Sequence, residues 1–187
     1  MCVLYPILLP PNPSPHASLI PVDKAFKQLS DHIATSAAGK PFLLKSTTQD
    51  AYDESGFFVA YAKASGGIYA DCGIHDIDMS RWLLSIGAAS SSSKLTQSSA
   101  PNGGRAGSSE VTRCYGTGSI VRHPELVEQE DCDNALGIIE FANGSKTTLH
   151  LSRTGMGGYS SVVEVFGTEQ KLEVGVSHQN HCLKWLC

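Results

Sequence analysis

Along the chain, apolar residues recur first at helical spacing and later in strand-like alternation. Val22, Phe26, Leu29 and Ile33 lie four or three residues apart and share one face of a helix expected over 22–37. Asp23 suits its N-cap, and Gly39 suits the left-handed position beyond its last turn. PFLLKSTTQD follows as a strand that begins apolar, becomes polar and ends at Asp50. The spacing from Gly66 to Gly87 predicts a central helix, entered through Gly66-Gly67 and stopped by Gly87. Residues 88–109, AASSSSKLTQSSAPNGGRAGSS, hold almost nothing for a core, so ordering them costs entropy with little return, and a low-complexity surface loop is expected.

Beyond that loop the rhythm is that of strands: VTRCYGTGSIV, ALGIIEFANGSKTTLHLS and SVVEVFGTEQKLEVG. Asn143-Gly144 marks one hairpin and Gly167-Thr168-Glu169-Gln170 a second. Helices first and hairpins afterwards indicate an α+β fold, an open and mostly antiparallel sheet with helices packed on one face. The expected organisation is an irregular lead-in over 1–21, one domain over 22–175, and a tail, VSHQNHCLKWLC over 176–187, that continues no pattern. The apolar start lacks a Lys or Arg before its apolar run, and Pro6, Pro10, Pro11, Pro13 and Pro15 break any helix, which argues against a signal peptide.

Composition narrows the function classes. The 187 residues are 41% hydrophobic and 17% charged with a net charge of −4, which suits one globular domain and supplies no basic surface for nucleic acid. No run approaches the ~20 apolar residues of a membrane helix. Six singly scattered cysteines, with no C-x-x-C, read as reduced thiols, and a cytoplasmic location is expected. Asn143-Gly144-Ser145 is a glycosylation sequon better explained by the hairpin turn.

Candidate chemistry concentrates in GGIYADCGIHDIDMSRW. On a helix, Asp71, His75, Asp78 and Trp82 form one stripe, and the i, i+4 pair Asp71 and His75 can hydrogen-bond directly. A carboxylate beside an imidazole suits general acid/base work; spacing alone equally allows a solvated, helix-stabilising pair. Asp76 and Arg81 point away from the stripe, toward a surface or inter-element ion pair. A metal on Asp71 and His75, completed by His123, His150 or Asp78, is not favoured, because H-E-x-x-H and paired cysteines are absent. GTGSIV lacks the third glycine of a dinucleotide fingerprint and reads as a strand bend. In Ser152 to Tyr159, glycines would let backbone approach a ligand while Arg153 and Tyr159 bond hydroxyls, or the segment is simply a mobile loop.

In this order, GKPFLLKSTTQD, GGIYADCGIHDIDMSRWLL, DCDNALGIIEFANGSKTTLHLSRT and VEVFGTEQKLEV resemble the C-terminal domain of the glucose-fructose oxidoreductase and inositol 2-dehydrogenase family, over about residues 23 to 175. The resemblance implies a substrate domain of a two-domain, NAD(P)-dependent enzyme acting on a sugar or polyol. It implies Asp71 and His75 as catalytic pair and Asp50 and Tyr159 as substrate contacts, to which the glycine-rich segment adds Arg153. The family's glycine-rich dinucleotide fingerprint and its Glu-Lys-Pro motif would lie upstream of residue 23 and are absent there. The chain is therefore expected to be a truncated member that binds neither NAD nor NADP alone, is inactive by itself, and assembles as a homo-oligomer through its sheet. Two alternatives stand beside this: a cofactor-free isomerase, dehydratase or cyclase using Asp71 and His75, and a non-catalytic oligomerisation or binding module.

Overall fold

A computed structural model describes residues 24–91, 110–177 and 180–186. Helix α1, Lys24–Ala34, buries Phe26, Leu29 and Ile33, three of the four residues of the expected stripe. Val22 and the expected cap Asp23 lie outside the described residues. Gly39 has the left-handed backbone foreseen for it, with φ +71°, and a side chain there would collide with Thr168 and Glu169. This close approach docks the link after α1 onto a sheet hairpin, where Glu169 N–H donates to the Ala38 carbonyl at 3.1 Å.

Among the described residues, seven strands form one sheet: β1 (Pro41–Ala51), β2 (Val111–Ser119), β3 (Asn134–Phe141), β4 (Lys146–Gly155), β5 (Ser160–Gly167), β6 (Lys171–Ser177) and β7 (Asn180–Leu186). Their order across the sheet is β2-β3-β4-β1-β5-β6-β7. Only β1 with β4 is parallel; every other pairing is antiparallel. Because side chains alternate along a strand, one face collects Ile139, Thr147, Leu44, Val165 and Leu172 in a single row across five strands, all buried. Helices α1 and α4 (Gly73–Ser91) cover this face, with Ile77, Met79, Leu83 and Leu84 of α4 entering the same core. The opposite face leaves Leu136 and Ile138 exposed.

The helical region departs from the sequence reading in three ways. The expected helix over 66–87 is two, α3 (Ile68–Asp71) and α4, separated by a turn at Cys72, and α4 passes Gly87 to reach Ser91. The low-complexity loop thus begins inside a helix, and its residues 92–109 lie outside the described part. A further helix, α2 (Phe57–Ser65), was not foreseen, because only Ala62 of it is buried and no apolar stripe marks it. Its start is set by a local chain of bonds: the Ser55 N–H donates to Asp53, and the Phe57 N–H donates to the Ser55 hydroxyl. The tail that continued no pattern completes β6 at Ser177 and supplies β7, Asn180–Leu186, paired antiparallel to β6 with Asn180 opposite Ser177. A six-residue 3₁₀ helix, Pro124–Gln129, precedes β3.

Candidate functional site

Strand β1 runs parallel to β4 and antiparallel to β5, so its last residues come together with the end of β4 and the start of β5. A side chain at Gly155 would stand 2.7 Å from the Asp50 carbonyl, so a glycine is required for this approach. A cavity of about 300 Å³ opens at this corner. Thr48 and Asp50 reach it from β1, and Asp71, Cys72 and His75 from α3 and α4. Tyr159 closes it from the entry to β5, and Phe57, Phe58 and Tyr61 of α2 supply an aromatic side.

Four of the five residues singled out in the sequence, Asp50, Asp71, His75 and Tyr159, therefore line one cavity. Arg153 does not. It lies on β4 rather than in a loop, is fully buried, and commits its guanidinium to two carboxylates: Nη2 donates to Asp71 Oδ2 at 2.6 Å and Nη1 to Asp131 Oδ2 at 3.3 Å. The expectation that it bonds substrate hydroxyls from a loop is corrected by that burial.

The expected direct bond between Asp71 and His75 is also corrected. The two keep their i, i+4 relation across Cys72, but Asp71 is held by Arg153, and His75 Nδ1 is buried with no hydrogen-bond partner among the described residues. Asp76, expected to form a surface or inter-element ion pair, has no exposure at all. Its Oδ1 accepts hydrogen bonds from the hydroxyls of Ser46 and Thr48, the latter at 3.0 Å.

Burial sets most of the electrostatics. It pushes the Asp50 carboxyl above the usual carboxylate range; Arg153 pulls back against this and Asp71 adds to it. Burial likewise raises Asp76, with the Ser46 and Thr48 hydroxyls opposing the rise. Burial pushes the Cys72 thiol, 4.0 Å from Asp50, up and so disfavours its thiolate form. Burial raises the Tyr159 phenol too, the bond with Ser161 pulling back.

The other motifs of the sequence find structural roles. Gly116 of GTGSIV faces Tyr69, whose phenol a side chain there would approach to 2.9 Å, and Gly137 flanks the same ring. The Tyr69 hydroxyl bonds the Thr117 carbonyl at 3.0 Å, which ties α3 to the sheet. That string is a seat for a tyrosine. Among the described residues, no three or more His, Cys, Asp or Glu side chains converge on a metal position; His123, His150 and Asp78 lie apart from the Asp71 and His75 cavity. Of the cavity lining, the sequence reading passed over Thr48, Cys72 and the α2 aromatics. FFVAY after an Asp-x-Ser turn was the available signal for the last of these.

At one corner of this open α+β sheet lies a cavity lined by carboxylate, imidazole and hydroxyl groups. A family model described as the GFO/IDH/MocA C-terminal domain matches residues 26–173, and the chain belongs to that family. It is 31% identical over 159 residues to the scyllo-inositol 2-dehydrogenase (NAD(+)) of Bacillus subtilis, a match covering 85% of this chain and 39% of the relative. It is also 31% identical to the uncharacterized oxidoreductase YrbE of the same organism, covering 79% of this chain and 36% of that protein. The chain thus spans less than two-fifths of these relatives. Among solved structures, a probable dehydrogenase from Thermotoga maritima aligns with a TM-score of 0.65 at 27% identity, over 82% of this chain and 39% of that one. A scyllo-inositol dehydrogenase from Lactobacillus casei, solved with NAD(H) and scyllo-inositol, shares the fold with a TM-score of 0.64 at 19% identity, over 84% of this chain and 39% of that one.

Proposed function

We propose that this chain is the substrate and acid/base domain of an NAD(P)-dependent dehydrogenase for an inositol-like polyol or sugar. The observation that carries the reading is the convergence of Asp50, Asp71, His75 and Tyr159 from β1, α3, α4 and the β4–β5 connection on one cavity, in a chain similar to an inositol dehydrogenase. Oxidising a secondary alcohol removes a proton from oxygen and a hydride from carbon. The His75 imidazole, which lines the cavity and can serve as a general base, takes the proton. Asp71, fixed by Arg153, accepts a hydrogen bond from the reacting or adjacent hydroxyl and so sets the alcohol's orientation. Asp50, Thr48 and Tyr159 bond further hydroxyls, and the rings of Phe57, Phe58 and Tyr61 pack against the C–H face of a ring-shaped polyol. The nicotinamide supplies the hydride acceptor. We assign the binding of its pyrophosphate to another domain and expect polyol binding without turnover from this chain alone.

Calorimetric titration with scyllo-inositol, myo-inositol and NAD⁺ tests the reading. The expected result is millimolar polyol binding that Asp71→Ala and His75→Ala each weaken at least tenfold, with no heat from NAD⁺. Absence of any polyol binding, or polyol conversion in the absence of nucleotide, would overturn it.

A further inference from the structure

Arg153 touches two of the helices that build the cavity, and the segment before β3, without lining the cavity itself. Its guanidinium reaches Asp71 at the end of α3, Asp131 in the segment before β3, and the Phe58 ring of α2, over which its Cζ stands 5.5 Å from the centroid. Resting on the polyol dehydrogenase reading, we propose that Arg153 is a positioning residue. It presents Asp71 to the substrate in one orientation and draws the aromatic wall toward that carboxylate.

The geometry closes on itself. Asp131 accepts the N–H of Ile68, the first residue of α3, at 2.9 Å on Oδ1, while Oδ2 takes Arg153. The carboxylate that anchors the guanidinium thus also anchors the helix carrying Asp71, four residues long and too short to hold its own direction. Arg153 occupies only Oδ2 of Asp71. The remaining oxygen of this partly exposed side chain is left for a hydroxyl in the cavity. Two carboxylates facing one cation in a buried setting would repel and reorient without it. A guanidinium suits this role because its planar fork directs two bonds at a fixed angle, whereas an ammonium offers a point charge on a flexible stem.

A double-mutant cycle on polyol affinity tests the proposal, using this chain with scyllo-inositol and circular dichroism as the check on folding. Arg153→Lys keeps the buried charge and is expected to stay folded while binding about tenfold more weakly. Asp71→Asn is expected to weaken binding by at least as much, and Arg153→Lys added to Asp71→Asn should change affinity less than twofold further, because the carboxylate being positioned is gone. Asp131→Asn keeps an acceptor for Ile68 and should cause an intermediate loss. Independent, multiplicative losses for Arg153→Lys and Asp71→Asn would overturn positioning and indicate direct contact. Unchanged affinity in folded Arg153→Lys would overturn it in favour of a purely structural ion pair. If wild type binds no polyol, the functional reading fails first, a result distinct from either of these.

Discussion

The hydroxyl of Thr48 stands in the cavity wall and donates to Oδ1 of Asp76, 3.0 Å away on α4. A carboxyl with no exposure is thereby coupled to the cavity through one hydrogen bond. The bond uses the hydroxyl's proton, so Thr48 can offer a polyol only its oxygen lone pairs. Thr48→Val, nearly equal in volume, is expected to lower stability by about 1 kcal/mol, a fall in Tm of roughly 2–4 °C for a chain of this size. It should also weaken polyol binding, checked by thermal melts and titration.

Asp76 itself predicts a pH dependence. Burial raises its folded pKa above the unfolded value near 3.9, so the folded chain holds this proton more tightly than the unfolded one. The resulting stability is fully present at low pH and is lost as pH rises from about 4 through the folded pKa. Asp76→Asn is neutral throughout and retains an oxygen for Ser46 and Thr48. Its Tm relative to wild type should therefore climb between pH 4 and pH 8, and a constant difference across that range would contradict the sign.

Asp133 predicts the opposite slope. Burial by itself would raise its carboxyl, yet the N–H groups of Arg122, Val121 and His123 and the Asn134 amide outweigh burial and hold it low. The backbone bonds span 2.7 to 3.1 Å. Their stabilisation is present above the unfolded pKa and is lost as pH falls through the folded one. Asp133→Ala leaves three backbone donors without an acceptor and should cost about 1–3 kcal/mol at pH 7. Urea melts should show the gap to wild type shrinking below pH 4.

The aromatic rim gives a prediction that separates binding from stability. Phe57 and Tyr61 stack with centroids 5.7 Å apart, and both are largely exposed. Tyr61→Ala should alter stability by no more than about 0.5 kcal/mol while weakening polyol affinity several-fold. A large loss of Tm with unchanged affinity would assign the rim to folding.

Much of the fold is legible in local pattern. The stripe of Phe26, Leu29 and Ile33, the alternation from Ala135 to Phe141, and Asn143-Gly144 each specify an element through geometry within a few residues. Helix α2 was not legible, since its apolar side chains face the cavity and its rim instead of a core stripe. Strand β7 was not legible either, because its place depends on the neighbouring edge of β6 and on no periodicity of its own. Asp71 and His75 were found because helical spacing brings them together wherever the helix sits.

What the sequence by itself determined is the helix of Phe26, Leu29 and Ile33, the hairpin at Asn143-Gly144, and that Asp71 and His75 share one side of a helical segment. Those relations span one or two turns and follow from backbone period. What only the tertiary structure decided is the partner each group takes. Asp71 pairs with Arg153, 82 residues away, and Asp76 turns inward to Ser46 and Thr48. A hydrogen bond forms at about 3 Å and is strengthened or penalised by exclusion of water, and both conditions are set only once distant strands and helices have packed.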